Sequence, residues 1–363
     1  MNDTGLFIDS DSKLAALLAS IAAEPVLALD TEFVREKTYY PKLGLIQIAT
    51  PGLAACIDCI AEFDLAPFFN QLFEPGCAWV LHSARQDLEV MYQQDERQPH
   101  ELVDTQLAAA LLGYAPQIGL QDLLAEELGV KLEKGHTRTD WSRRPLPDAA
   151  VQYALDDVRY LLPLWQRLAE KLDGLQRGDW LKADCIDALS IPPVTPPLTL
   201  WTRLRGLRSM GPAHQCAALA LVSWRERYAQ SLDRPRRWIM SDELLLRVAR
   251  TSPEDLESLK SIPEMPKHLA DRSGDDIISE LQNSDGANQR ALIETHLTLE
   301  RPDKGELQAF QERVRTRADE LGIRSEVLAT RKEISDILVG KPSGRIDEGW
   351  RQPELQKLLA DRR

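Results

Sequence analysis

VLALDTE, residues 26–32, is an apolar run that closes on two acids spaced one residue apart. Its length and content predict a strand, VLALD. At a strand's period of two, Asp30 and Glu32 share one face. They emerge at the strand's carboxyl end, where sites of α/β sheets lie. The spacing alone is weak, since Asp-x-Glu recurs at Asp87/Glu89 and Asp255/Glu257, and a solvated strand end gives the same pattern. The setting carries more: two acids closing an apolar strand are costly unless they are paired or bind a metal.

Outward from this strand, the first 170 residues alternate strand and helix signals. LGLIQIA (43–49), LAACID (53–58) and CAWVLH (77–82) are strand-length apolar runs. SKLAALLASIAA (12–23), LEVMYQQ (88–94), DTQLAAALLG (104–113) and LQDLLAEELG (120–129) repeat apolar residues at helical spacing, with Gly113 and Gly129 as C-caps. A long helix pattern covers 147–172, opened by Pro147 and kinked or divided at Pro163. The pattern predicts a mixed α/β domain with a central sheet. IPPVTPPL (191–198) is a semi-rigid, proline-rich linker. Beyond it the chain is helical, with a helix start expected at Ser252-Pro253-Glu254-Asp255. SDELLLRVA and RSEVLATRKEI resemble each other and hint at two related helical domains.

Two further segments carry chemistry. Asp87, in HSARQDLEV (82–90), falls in the first turn of a helix after the strand AWVLH; the helix dipole alone accounts for an acid there. Tyr153 and Asp157 are i and i+4 on the long helix, hence on one face, and form the only Tyr-x-x-x-Asp among the seven tyrosines. A half-buried tyrosine beside a surface acid is the plainer account of that pair. Asp156 points about 100° away round the helix, into solvent. Taken together, four converging carboxylates have one economical use: holding two divalent cations about 4 Å apart, which stabilise both the attacking and leaving oxygens of a phosphodiester. This points to a metal-dependent nuclease.

With 363 residues, the chain has room for two or three domains. Its 43% apolar and 28% charged residues place it among globular proteins. The net charge of −13 argues only weakly against a nucleic-acid partner, because distribution decides binding. Residues 201–237 hold eight arginines against Glu226 and Asp233. Five cysteines make no disulfide framework. Cys56 and Cys59 lie in a strand, where i and i+3 face opposite sides, so they read as packed thiols in a reducing compartment. The N-terminus has no signal-peptide pattern and no run is long enough to span a membrane, so a cytoplasmic protein is expected. His82 reads as a core histidine, and Gln47 as a satisfied buried amide.

DTEFVREKTYYPKLGLIQIA (30–49), HSARQDLEV, VDTQLAAALLGY (103–114), RTDWSRRPL (138–146) and QYALDDVRYLLP (152–163) together resemble the DEDD exonuclease superfamily in its tyrosine-bearing branch. Residues 224–262 resemble an HRDC domain, a small helical nucleic-acid-binding module, and residues 300–363 a weaker second copy that lacks the core pattern of the first. The resemblance implies a ribonuclease H-like exonuclease domain at 1–172, a connecting helix and linker at 173–205, a first HRDC domain at 206–295 and a divergent second at 296–363. It implies two Mg²⁺ or Mn²⁺ ions: Asp30 bridging both, Glu32 and Asp157 completing the site that bears the nucleophilic water, Asp87 serving the other. Tyr153 would orient that water. The implied activity is 3′→5′ trimming of RNA from a free 3′ end, releasing nucleoside 5′-monophosphates, with transfer RNA precursors the leading substrate and a monomer the expected state. A DNA repair exonuclease and a non-catalytic RNA-binding protein are the alternatives.

Candidate nucleic-acid contacts are Arg138, Trp141, Arg143 and Arg144 near the site, and Arg225, Arg234, Arg236 and Arg237 in the first HRDC domain. Trp141 reads equally as a base-stacking surface or as a core residue beside an Asp140–arginine pair. The HRDC arginines read either as backbone contacts to RNA or as intramolecular partners of the acidic remainder.

Overall fold

A computed structural model describes residues 5–132, 139–284, 286–297 and 302–360. The strands are β1 (Leu6–Ile8), β2 (Val26–Val34), β3 (Lys42–Thr50), β4 (Leu53–Asp58), β5 (Ala78–Leu81) and β6 (Glu101–Asp104). Between and after them run helices α1 (Asp11–Ile21), α2 (Ala66–Leu72), α3 (Arg85–Asp95), α4 (Thr105–Leu111), α5 (Leu120–Leu128), α6 (Asp148–Arg159), α7 (Leu161–Gly174) and α8 (Gly178–Ser190). The strands form one mixed sheet in the order β1-β4-β3-β2-β5-β6. β3 is antiparallel to β2 and β4, whereas β2, β5 and β6 run parallel.

The two faces of β2 bury different sets. Leu27 and Leu29 join Ile46, Ile48, Trp79 and the apolar sides of α1, α2 and α3. Ala28 joins Leu45, Ala49, Cys56 and Val80 beneath Ala150, Ala154 and Val158 of α6. Period-two alternation therefore aims Asp30 and Glu32 at the α6 side. The expected division of the long helix is real: it breaks at Tyr160, so that α7 starts at Leu161, two residues before Pro163. Gly129 caps α5 with φ 68°, a left-handed turn that glycine enters without steric cost.

The chain divides into two compact units. The first holds the chain up to Val34, Lys42 to Pro193, and the C-terminal helices; the second holds 35–41 and the helices after Val194. The change-over at Pro193 falls inside the proline-rich linker. The second unit comprises α9 (Pro197–Thr202), α10 (Pro212–Ser231), α11 (Arg236–Ile239), α12 (Asp242–Thr251), α13 (Leu256–Lys260), α14 (Lys267–Gln282) and α15 (Ala287–Leu297). Its core gathers Trp201, Leu221, Val222, Trp224, Leu245 and Ile277. The segment 35–41 is held there: Tyr39 donates its hydroxyl to Glu226 (2.9 Å), and the Asp233 carboxylate accepts from the Tyr39 and Tyr40 amides (3.0 and 3.1 Å). One expectation fails here. Ser252 does not start a helix; it ends α12 in the left-handed region (φ 44°). The start lies three residues later, where Asp255 and Ser258 form a reciprocal capping box for α13. Asp255 wins because it binds the third amide of the coming turn and Ser258 binds back.

The chain ends in α16 (Lys304–Leu321), α17 (Ser325–Leu328), α18 (Arg331–Leu338) and α19 (Arg351–Ala360). The sequence places 296–363 in a module of its own; the buried Phe310, Val314, Leu328, Ile334 and Trp350 are continuous with the core of the first unit. A buried ion pair anchors them. Arg351 holds both oxygens of Asp184, one at 2.8 Å, and the Trp350 indole N–H donates to Asp184 Oδ1 (3.0 Å). Trp350 also stacks on Trp180, centroids 4.1 Å apart and 4° from parallel. Removing one partner of such a pair strands a buried charge. Arg351→Leu should therefore cost about 3–5 kcal/mol in urea unfolding of the first unit. The double variant Asp184→Leu/Arg351→Leu should recover part of that loss; equal stability of wild type and Arg351→Leu would contradict the anchoring role.

Candidate active site

Each acid reaches the site from a different element. β2 delivers Asp30 and Glu32 just before an irregularity in its pairing with β3, between Glu32 and Phe33. Thr31, pointing the other way, binds Asp87 Oδ1 through its amide (3.1 Å) and its hydroxyl (2.5 Å). The turn from β5 into α3 contains Ser83 at φ 62°. Asp104, at the end of β6, holds that turn by accepting from the Ser83 and Ala84 amides (3.0 and 2.9 Å), and caps α4 by accepting from Gln106 N (2.8 Å). These bonds fix the first turn of α3 and with it Asp87. From the other face, α6 supplies Tyr153 and Asp157 one turn apart, with Tyr153 hydrogen-bonded to Asp157.

Ligand atoms of Asp30, Glu32 and Asp157 lie within 4.8 Å of one another. With Asp87 and Tyr153 they line a single cleft of about 610 Å³. The acids are crowded and poorly solvated. Burial, and then the charges of Asp87, Asp157 and Glu32, hold the Asp30 carboxyl well above the usual carboxylate range. Burial, and then Asp157 and Asp87, push Glu32 to about 8. Burial raises Asp87 to about 7 against the two Thr31 bonds, and Asp157 to about 6 against the Tyr153 bond. Burial and the neighbouring Asp157 push the Tyr153 phenol upward. A set of oxygen donors that repel one another suits a hard divalent cation, which repays both desolvation and repulsion.

The structure thus brings all five residues of the sequence-derived set into one cleft. His82 is no ligand: its Nδ1 meets Thr105 Oγ1 and its Nε2 the Ile118 carbonyl, both at 2.9 Å, and burial lowers its pKa. Gln47 departs from expectation. It is fully buried, yet neither side-chain polar atom has a hydrogen-bond partner among the described residues. Thr31 and Asp104 were not legible. Thr31 acts on a residue 56 positions away; Asp104 carries only the signal of an Asp opening an alanine-rich helix.

The nucleic-acid candidates divide. Trp141 is 4% exposed and packs against Tyr153 (centroids 6.5 Å, 28°), so it has no free face for a base. Arg144 forms a two-pronged pair with Asp58 and donates to the Gly44 and Trp141 carbonyls, so it is a structural brace. Arg225 is buried on the Met240 carbonyl and Asp242. Arg236 pairs with Glu226 at 3.3 Å and lies over the Tyr39 ring. Intramolecular partners occupy these three cations, which charge counting could not foresee. Arg143, Arg234 and Arg237 remain at the surface, Arg143 beside Asp140. Arg138 lies outside the described residues.

Residues 6–173 match the 3′-5′ exonuclease family and residues 217–281 the HRDC domain. The chain is 31% identical to ribonuclease D of Granulibacter bethesdensis, over 95% of its own length and 89% of that protein. It is 32% identical to ribonuclease D of Shewanella sp. (strain ANA-3), over 98% and 93%. The crystal structure of Escherichia coli RNase D, an exoribonuclease involved in structured RNA processing, superposes over 100% of both chains with a TM-score of 0.84 and 27% identity.

The raised carboxylates set the sign of a pH effect. Between about pH 4, where unfolded acids ionise, and the folded-state values of about 6 to 8, the folded protein holds protons that the unfolded chain has released. Stability from these groups therefore falls as pH rises through that window. In EDTA the melting temperature should drop between pH 5 and pH 8, and Asp30→Asn should raise it by several degrees at pH 8. Excess Mn²⁺ should recover the wild-type loss; a flat profile in EDTA would contradict this.

Proposed function

The chain belongs to the ribonuclease D family, and from that premise we propose that Asp30, Glu32, Asp87 and Asp157 hold two divalent cations, Mg²⁺ or Mn²⁺, against the 3′-terminal phosphodiester of RNA. The protein is a 3′→5′ exoribonuclease. The observation that carries the site reading is the cluster of Asp30, Glu32 and Asp157 oxygens within 4.8 Å, with Asp87 across the same cleft. That division suits one position served by three acids and a second served by Asp30 with Asp87.

When bound, the cations supply Lewis-acid activation of the attacking water and neutralise charge on the leaving 3′ oxygen. The protein's own groups do the placing. Thr31 holds Oδ1 of Asp87 through two hydrogen bonds and so fixes the carboxylate's orientation. A phenol has an ordinary pKa of about 10, so Tyr153 orients the water by hydrogen bonding and need not act as its formal base. Trp141 packed on Tyr153 limits where that ring can go. The product is a nucleoside 5′-monophosphate, released one at a time.

We read the substrate as structured RNA with a single-stranded 3′ extension, transfer RNA precursors first. Arg234, Arg237 and the 57%-exposed Trp238 offer the helical unit's contact, two cations beside an aromatic face on which a base can stack. The five cysteines form no disulfide, which fits the reducing cytoplasm. Among the described residues no helix is long and apolar enough to cross a membrane. A monomer is the expected state.

The decisive experiment is a cleavage ladder on 5′-labelled RNA with a short 3′ tail beside a stem, with a DNA counterpart, in Mg²⁺, Mn²⁺ or EDTA. One-nucleotide, metal-dependent steps on RNA that stop near the stem are expected. Asp30→Asn should reduce the rate by at least about 10³-fold while RNA binding persists. Near wild-type cleavage by that variant would sink the site assignment, and faster trimming of DNA would sink the substrate reading. Separately, Arg234→Ser/Arg237→Ser should flatten the salt dependence of RNA binding, by about 0.7 in log–log slope per lost phosphate contact. An unchanged slope would remove these arginines from the interface.

A further inference from the structure

The amide of Gln47 is the anomaly of the sheet. On β3 it stands in register opposite Asp30 of β2 on one side and Cys56 of β4 on the other. Residues paired across antiparallel strands present their side chains on the same face, with Cβ atoms about 4.5–5.5 Å apart. Leu45 and Ala49, two positions before and after Gln47, pack beneath Ala150, Ala154 and Leu155 of α6. Gln47 therefore lies under the helix that carries Tyr153 and Asp157, beside the strand that carries Asp30. It is fully buried, and its Nε2 and Oε1 have no hydrogen-bond partner among the described residues.

Buried amides are satisfied as a rule, because leaving one unpaired costs its whole desolvation. The flanking positions on that face of β3 are apolar, so packing alone does not call for an amide there. The chemically suited acceptor in the neighbouring row is the Asp30 carboxylate. We infer that Gln47 is a positioning residue for the reaction: its Nε2–H donates to the Asp30 carboxylate in the cation-loaded enzyme and fixes which carboxylate oxygen faces the cleft. Asp30 is the acid assigned to both cations, so an error in its orientation would weaken both sites together. Supporting hydrogen bonds of this kind change metal affinity or activity by about 10–100-fold when removed.

The inference rests on the proposed cation site, and the test separates the two. Mn²⁺ binding to the full chain would be measured by titration calorimetry at pH 8 for wild type and Gln47→Met, which keeps the side-chain length without the amide. Melting curves in EDTA would accompany it. The expected result is a roughly 10–100-fold weaker Mn²⁺ affinity, with a matching rise in the Mn²⁺ needed for half-maximal cleavage. The melting temperature in EDTA should be equal to or above wild type, since an unpaired buried amide is removed. Unchanged Mn²⁺ affinity in a folded variant overturns the role of Gln47 while leaving the cation site standing. A wild-type protein that binds no Mn²⁺ overturns the cation site, and this inference with it. Should Gln47→Met not fold, Gln47→Leu carries the same test; failure of both to fold would make the amide structural and overturn the proposal.

Discussion

The first unit is organised around the repulsion of four carboxylates held in one poorly solvated cleft. Asp30, Glu32, Asp87 and Asp157 each raise the pKa of a neighbour or have their own raised by burial. Left to side-chain freedom they would turn apart into water. They stay together because each is tied to a rigid element. Two ride on the central strand of a six-stranded sheet. One sits in a helix turn held by Asp104 and Thr31, and the last is on α6, packed across Ala28, Leu45 and Cys56. Folding free energy, spread over a large apolar core, concentrates like charge where a cation can use it.

The helical part of the chain contains the same local design twice. α11 leads through Met240 (φ −156°, ψ 126°) and Ser241 (φ −65°, ψ 158°) into α12. α17 leads through Ala329 (φ −157°, ψ 132°) and Thr330 (φ −72°, ψ 160°) into α18. In both, a hydroxyl caps the second helix, accepting from Leu244 in one and Glu333 in the other. The structural match sets Ser241 opposite Thr330, so SDELLLRVA covers only the cap and second helix of this design, whereas RSEVLATRKEI covers its first helix, the cap and the start of the second. The surroundings have diverged. The first copy builds its own core around Trp201 and Trp224. The second shares the core of the exonuclease unit through Phe310, Trp350 and the Asp184–Arg351 pair.

Much of the site was legible because its signals are local. An apolar strand ending in Asp-x-Glu, an acid in the first turn of a helix, and a Tyr-x-x-x-Asp on one helix face each follow from the period of the element. The misreadings concern long-range partners. Trp141 is open to two readings in the sequence, and the structure takes the core one, against Tyr153 and beside the Asp140–Arg143 pair; Arg144 looks like a nucleic-acid contact until Asp58 is brought beside it. Arg225 counts as positive charge along the chain but is spent on Asp242. Ser252 resembles a helix cap, yet Asp255 with Ser258 offers the backbone two reciprocal bonds and moves the start by three residues.

By itself the sequence determined the alternation of strands and helices, the proline break before the helical unit, and the identity of the five residues that meet in the cleft. Backbone periodicity, capping and proline geometry are properties of a few consecutive residues, so they can be read without the fold. Tertiary structure alone decided which acids approach within 4.8 Å and which arginines remain in water. It also decided that the last helices complete the exonuclease core, and that the Gln47 amide is buried opposite Asp30 without a partner among the described residues. Those outcomes depend on the pairing register of distant strands and on desolvation, which arise only when segments far apart in the chain exclude water from one another.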